Sequence, residues 1–137
     1  MRKVWVNGTF DVLHSGHVKL FRYARLLAGS KGQVIVGLDT DERITQAKGP
    51  TRPINSLHDR MFVLSSIKYI DQIASFSSND ELESLISNIM PDFMVIGDDY
   101  RGKEIIGSQF IKEIYYVSRD GKSTTSIVDG FKDLYEW

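Results

Sequence analysis

Residues 7–17 read NGTFDVLHSGH, and this stretch decides the fold that the sequence predicts. It follows a short apolar strand at residues 4–6. It leads into a helix at residues 16–27, where apolar side chains recur at helical spacing. A strand that passes through a glycine-containing turn directly into a helix is typical of the first part of a β–α–β unit.

The same alternation continues along the chain. We predict further strands at residues 34–38, 70–76, 93–96 and 114–117, and helices at residues 40–47, 56–67, 80–89 and 123–134. Strands that alternate with helices pair in parallel. The predicted fold is therefore α/β, a doubly wound, five-stranded parallel sheet (Rossmann-like) with helices on both faces. No linker, repeat or low-complexity segment divides residues 1–137, so we expect a single domain.

Composition excludes several classes of protein. Seventeen Lys and Arg against eighteen Asp and Glu give a net charge of -1, which does not favour a nucleic-acid partner. There is no cysteine, so disulfides, thiolate nucleophiles and cysteine zinc sites are excluded. No apolar run approaches the roughly 20 residues of a membrane span, and residues 1–6 do not resemble a secretory signal. We expect a cytoplasmic protein with no membrane partner.

Two histidines in the first stretch point to phosphate chemistry. His14 and His17 lie one helical turn apart at the start of a helix, where backbone amides favour an anion. Gly16 between them leaves room for a phosphate, and two imidazoles can donate hydrogen bonds to oxygens that gain charge in a transition state. The alternatives are surface or cap histidines, or a metal site with His58 or a carboxylate as third ligand.

A second phosphate site is predicted near the end of the chain. Ser123, Thr124 and Thr125 supply hydroxyls and amides at a helix N-terminus, and Arg119 lies close by. This combination suits the outer phosphates of a nucleoside triphosphate. The alternative is an ordinary helix cap.

The loop after the second helix carries two cations. Lys48 and Arg52 flank a Gly/Pro segment, and such a loop could close over a triphosphate and neutralise its charge. The alternative is a solvated connector. Asp39 ends the second strand at the expected binding edge, where it could contact a ribose or an acceptor, or cap the following helix.

Residues 97–103, GDDYRGK, nearly match a phosphate-binding loop. The final position of that pattern is Glu104 instead of Ser or Thr. Asp98 and Asp99 would also repel phosphates. The sequence therefore does not favour a P-loop kinase.

Two motifs together resemble those of a known family. The segment Gly8-Thr9-Phe10-Asp11 followed by His14-Ser15-Gly16-His17 resembles the signature of the cytidylyltransferase-like nucleotidyltransferases. Residues 119–127, RDGKSTTSI, are similar to the family's second motif, R-x-E-G-x-S-T-T-x-I, with Asp120 in place of Glu and Lys122 where an apolar residue is common. The resemblance covers nearly the whole chain.

The resemblance implies transfer of a nucleoside monophosphate from a triphosphate to a phosphorylated acceptor, with release of pyrophosphate. It implies Mg²⁺ as the cofactor, and superfamily members are often dimeric, which allows a homodimer. The implied catalytic residues are His14, His17, Lys48 and Arg119. The implied nucleotide-binding residues are Gly8, Thr9, Phe10, Gly16, Gly97, Asp99, Tyr100, Ser123, Thr124 and Thr125. The implied acceptor-binding residues are Asp11, Asp39 and Arg60, although an arginine on a helix face can equally be a solvated ion-pair partner.

Substrate choice is the open question within the family. Residues 48–55 and 104–108 look most like heptose-phosphate adenylyltransferases, whereas residues 97–99 and the Arg119 segment look more like glycerol-3-phosphate cytidylyltransferase. We expect a sugar-phosphate adenylyltransferase of the heptose 1-phosphate type. The alternatives are a glycerol-phosphate-type cytidylyltransferase, an FAD-synthetase-like enzyme, and a nucleotide-binding module without catalysis.

Overall fold

The structure is a computed structural model that describes residues 1–118, which form five strands and four α-helices. The strands are β1 (Lys3–Gly8), β2 (Gln33–Asp39), β3 (Gln72–Phe76), β4 (Phe93–Gly97) and β5 (Glu113–Val117). The helices are α1 (Ser15–Ala28), α2 (Asp41–Lys48), α3 (Leu57–Ser65) and α4 (Asn79–Ile89), and short 3₁₀ turns lie at Asp98–Tyr100 and Ser108–Phe110. The helix predicted at residues 123–134 lies outside the described residues.

All five strands are parallel and lie in the order β3-β2-β1-β4-β5. The chain runs outward from β1 through β2 to β3, and then crosses back to place β4 and β5 on the other side of β1. This arrangement confirms the predicted doubly wound fold. The strand order reverses between β1 and β4, and ligands of such folds bind at this reversal, beyond the carboxyl ends of the strands.

The core consists of two apolar layers, one on each face of the sheet. Val4 and Val6 pack against α1 and α3 in the first layer. Trp5 and Met94 pack with Leu82 of α4 in the second layer. Because successive strand residues point to opposite faces, the apolar run of β1 fills both layers, as expected for a strand that is buried on both sides.

The structure corrects some predicted boundaries. The helix predicted at residues 80–89 begins at Asn79 and is capped by Ser78, whose hydroxyl accepts the amide of Glu81 at 3.1 Å. The third strand begins at residue 72 instead of 70, because the Ile70 amide is bonded to Ile67 in a turn. Lys48 is the last residue of α2 and not part of the loop that follows. No helix among residues 1–118 is long and apolar enough to cross a membrane.

We predict that Gly37→Ala destabilises the fold. A Cβ at this position of β2 would lie 2.4 Å from the Trp5 ring and 3.1 Å from the Phe76 ring, so the buried indole would have to move. We expect a loss of about 1–3 kcal/mol in the free energy of unfolding, measured by urea denaturation. Ser75→Ala at an exposed position of β3 is the control, with an expected change below about 0.5 kcal/mol. Equal effects of the two substitutions would contradict this packing.

Candidate active site

A cavity of about 310 Å³ lies at the carboxyl edge of the sheet, where β1 and β4 are neighbours. The strand ends Gly8, Asp39 and Gly97 line it, and so does His17 from α1. Its position is therefore the one that the reversal of strand order predicts for a ligand site.

The cavity brings together many residues that the sequence singled out. The predicted residues that line it are Gly8, Thr9, Phe10, His17, Asp39, Lys48, Gly97 and Tyr100. Three further polar side chains line it that the sequence analysis did not select, namely Asn7, Arg43 and Glu104. Arg119, Ser123, Thr124 and Thr125 lie outside the described residues, so the second phosphate site stays a prediction.

The two histidines are held by the backbone at the start of α1. Nδ1 of His14 accepts the amide of Gly16 at 3.0 Å, and Nδ1 of His17 accepts the amide of His14 at 3.2 Å. The rings stack, with centroids 3.8 Å apart. Because each Nδ1 accepts a hydrogen bond, a neutral ring must carry its proton on Nε2. The capping role thus prepares each imidazole to donate from Nε2, so a cap and a phosphate donor are compatible roles.

The neighbours of the histidines leave little freedom to the rings. A Cβ on Gly16 would lie 2.8 Å from Cε1 of His14, so only glycine admits this ring position. Phe10 sits edge-on to His17, with ring centroids 5.4 Å apart, and also packs against Phe21. The site residues Phe10 and Gly16 therefore position the imidazoles.

The metal alternative gains no support from the described part of the chain. His58 lies on α3 with 90% of its side chain exposed, beside Asp59, and is not a cavity residue. Among residues 1–118, no group of three or more His, Cys, Asp or Glu side chains is arranged to hold a metal ion.

Arg60 is buried and joins several segments of the site. Its guanidinium donates to the carbonyls of Thr9 at 3.0 Å and Asp39 at 2.7 Å. It also donates to the carbonyl of Asn55 at 3.1 Å and to the carboxylate of Asp41 at 2.6 Å. Arg60 is 1% exposed, so the structure corrects the expectation of a solvated ion-pair partner, whereas a role in acceptor binding stays a prediction.

The carboxylate of Asp11 is likewise occupied by hydrogen bonds within the protein. Its carboxylate accepts the amides of Ile54 and Asn55, both at 2.7 Å, and Arg52 lies 4.0 Å away. Burial opposes ionisation. The hydrogen bonds from the two amides and the charges of Arg60 and Arg52 outweigh it and hold the pKa of Asp11 below its usual value. Asp11 therefore fastens the loop before α3 to the histidine segment, residues 7–17, and its predicted role in acceptor binding stays a prediction.

Helix α2 supplies the cationic side of the cavity. Arg43 and Lys48 both line it, whereas Arg52 does not. Nε of Arg43 donates to Asp39 at 2.7 Å and Nη2 donates to Asn79 at 2.8 Å. Thr40 caps α2, so Asp39 is not the cap. The i,i+4 spacing of Asp39 and Arg43 was the sequence signal that could have identified Arg43.

The loop after β4 forms the opposite side. Tyr100, which is 42% exposed, lines the cavity, whereas Asp99 and Lys103 do not. Nζ of Lys103 lies 5.4 Å from the centroid of the Tyr100 ring. This placement agrees with the rejection of a P-loop.

Comparison with known proteins shows which family model the sequence matches. A family model described as cytidylyltransferase-like matches residues 5–129. The bifunctional protein HldE of Campylobacter concisus is 44% identical over 131 residues, 95% of this chain and 27% of the relative. HldE of Sulfurimonas denitrificans is 43% identical over 135 residues, 96% of this chain and 27% of that protein. The chain thus spans about a quarter of the length of these relatives.

Solved structures share the fold at lower identity. A lipopolysaccharide core biosynthesis protein from Thermoplasma volcanium superposes with a TM-score of 0.69 at 22% identity, covering 88% of this chain and 99% of that one. A protein of unknown function from Archaeoglobus fulgidus gives a TM-score of 0.54 at 19% identity, covering 87% of this chain and 98% of that one. Both likenesses support the Rossmann-like architecture.

We predict that Asp11→Asn lowers stability in a pH-dependent way. The amide keeps one acceptor oxygen but turns an NH₂ group toward a backbone amide, at an expected cost of about 1–3 kcal/mol at neutral pH. Because the folded-state pKa of Asp11 is below 3.8, the carboxylate stabilises the fold above that pH and loses its contribution as pH falls through the lowered pKa. The difference between the two proteins should shrink below about pH 3.8.

Urea denaturation between pH 3 and pH 7 measures this difference. Asp59→Asn is the matched control, because that carboxylate is 69% exposed and its loss should cost less than about 0.5 kcal/mol. A difference for Asp11→Asn that stays constant over the whole pH range would contradict the assigned hydrogen bonds.

Proposed function

We propose, since this chain belongs to the cytidylyltransferase-like family and is a nucleotidyltransferase, that it transfers a nucleoside monophosphate from a triphosphate to a sugar phosphate. The preferred substrates are ATP and a sugar 1-phosphate of the heptose type. The observation that carries this proposal is the pair His14 and His17 at the head of α1, with each Nδ1 occupied by a backbone amide and His17 lining the cavity.

The reaction requires positioning and charge stabilisation. A phosphate oxygen of the acceptor attacks the α-phosphorus in line, a new P–O bond forms, and the bond to the leaving pyrophosphate breaks. The attacking oxygen is already anionic, so no general base has to remove a proton. Nε2 of each histidine donates to oxygens of the transferring and leaving phosphates, where negative charge increases. The positive end of the α1 dipole and the ammonium of Lys48 act in the same direction.

Mg²⁺ would be held mainly by the phosphates. It supplies charge neutralisation when the nucleotide binds, and Mg²⁺ commonly relies on substrate phosphates with few protein ligands. His14, His17 and Lys48 would add hydrogen-bond donors and positive charge at the phosphate oxygens.

The choice of a sugar phosphate rests on sequence similarity and on the polar lining of the cavity. Relatives named HldE match this chain over nearly all of its length, and residues 48–55 and 104–108 look like heptose-phosphate adenylyltransferases. Asn7, Arg43 and Glu104 add donors and acceptors that suit a polyhydroxylated ligand. A glycerol-3-phosphate cytidylyltransferase is the second candidate, on the basis of residues 97–99.

We predict acceptor-dependent release of pyrophosphate from ATP with heptose 1-phosphate. The test incubates the protein with Mg²⁺, ATP or CTP, and heptose 1-phosphate, mannose 1-phosphate, glycerol 3-phosphate or FMN. Products are identified by mass spectrometry. His14→Ala and His17→Ala should each lower kcat by about 100- to 1000-fold, because each removes one donor to the charged oxygens.

The panel separates the alternatives. Formation of CDP-glycerol from CTP and glycerol 3-phosphate would favour the cytidylyltransferase. Nucleotide binding without pyrophosphate release would indicate a module without catalysis. Full activity of the double variant His14→Ala/His17→Ala would refute the assigned mechanism.

We also predict that Gly16→Ala impairs turnover while the fold is kept. The new methyl group would displace the ring of His14, so α1 would lose this cap at a cost of about 0.5–2 kcal/mol while the rest of the fold is kept. A misplaced donor should lower kcat by about 100-fold, while the lost cap lowers the melting temperature by only about a few degrees. Ser15→Ala, at an exposed neighbouring position, is the control and should stay within about twofold of the parent. A Gly16→Ala protein with parental kcat would show that the ring position is unimportant.

A further inference from the structure

Asn7 lines the cavity, and a hydrogen bond from Trp5 orients its side chain. Trp5 and Asn7 lie two positions apart in β1, so both side chains point to the face of the sheet that α4 covers. Trp5 is completely buried, and its indole Nε1 donates to Oδ1 of Asn7 at 2.8 Å. A buried indole N–H has a strong requirement for an acceptor, so this bond decides which end of the carboxamide faces the core.

The bond leaves one polar group of Asn7 for the cavity. Oδ1 is occupied by Trp5, and Nδ2 makes no hydrogen bond to any atom of residues 1–118. The other end of the carboxamide is therefore a donor with two N–H groups, held on a strand end and not on a mobile loop. A rigid donor of this kind is what a site uses to select an oxygen at one place on a ligand.

The position of Asn7 separates it from the phosphate site. The histidines belong to α1, which packs on the opposite face of the sheet with Val4 and Val6. On the face of Asn7, the cavity continues along Leu82 of α4 and past Glu104, Ile105 and Ile106. A phosphate held at His17 would leave this second part of the cavity for the body of a bound substrate.

We infer that Asn7 determines specificity for the acceptor, and this inference rests on the proposed function. Its NH₂ group donates to a hydroxyl, ring or bridging oxygen of a sugar phosphate whose phosphate lies toward the histidines. Glu104 supplies an acceptor and the Asp39–Arg43 pair supplies further polar partners around the same space. The ligand class is a polyhydroxylated sugar phosphate, because a donor, an acceptor and an ion pair converge on the same space.

Two variants of Asn7 separate recognition from structure. Asn7→Asp keeps an oxygen for the Trp5 indole and replaces only the donating NH₂ group. Asn7→Leu has a similar volume and no charge, but removes both polar atoms. A loss of affinity for the acceptor that both variants share reports the lost donor. Charge repulsion acts only in Asn7→Asp, and the loss of the Trp5 hydrogen bond occurs only in Asn7→Leu.

The expected result is a higher KM for heptose 1-phosphate, by about 10- to 100-fold in both variants, since an acceptor oxygen is left without its donor. The KM for ATP should change by less than about twofold. Asn88→Asp on the exposed side of α4 is the matched control and should change neither value. A role limited to holding Trp5 would instead lower the melting temperature of Asn7→Leu and leave the acceptor KM of Asn7→Asp unchanged.

Calorimetric titration of heptose 1-phosphate into the parent and the variants makes the outcome independent of turnover. Turnover by the parent with unchanged acceptor KM and affinity in the variants would overturn the inference and leave the proposed function standing. Binding by the parent that the variants lose, without pyrophosphate release, would refute the proposed function and support the inference. A raised KM for ATP alone, or no binding of the sugar phosphate by the parent, would overturn the inference.

Discussion

The buried guanidinium of Arg60 is the interaction on which the geometry of the site depends. It donates to the carbonyls of Thr9, Asp39 and Asn55 and to the carboxylate of Asp41. These partners belong to the histidine segment, the end of β2, the loop before α3 and the start of α2. A buried charge without such partners would be strongly unfavourable, so the four segments must come together for Arg60 to be accommodated. One side chain on α3 thereby fixes the relative positions of segments that are far apart in the chain.

A second constraint acts locally at the head of α1. The backbone amides of His14 and Gly16 need acceptors because no helical carbonyl precedes them. Nδ1 of the two imidazoles satisfies them, which places the protons of neutral rings on Nε2. In the mechanism that we propose, stability and catalysis therefore share the same atoms: the helix cap orients the rings, and the oriented rings direct their Nε2 donors at the phosphates. Gly16 is required in both respects, since any larger residue would contact the ring of His14.

The two faces of the sheet contribute different groups to the cavity. The α1 face carries the histidines and the helix N-terminus, which favour an anion. The α4 face carries Asn7, whose carboxamide is oriented by Trp5, together with a partly apolar wall. Because β1 is the central strand and its side chains alternate between faces, it contributes side chains to both faces of the sheet at the cavity. This arrangement is the structural basis of our proposal that two substrates bind side by side at the reversal of strand order between β1 and β4.

The linear pattern of residues was sufficient to predict the alternation of strands and helices, the parallel sheet and the histidine pair, because helical and strand periodicity and motif spacing are local properties. Only the folded chain decided the roles of Arg60, Asp11 and Asn7. Arg60 reaches Thr9 across 51 positions and Asp11 reaches Asn55 across 44, and no local pattern encodes such pairings. Asn7 and Trp5 are near neighbours, yet the meaning of their contact depends on the burial of Trp5 by α4. Local chemistry specifies which groups are present, and packing between distant segments specifies which of them remain open to a ligand.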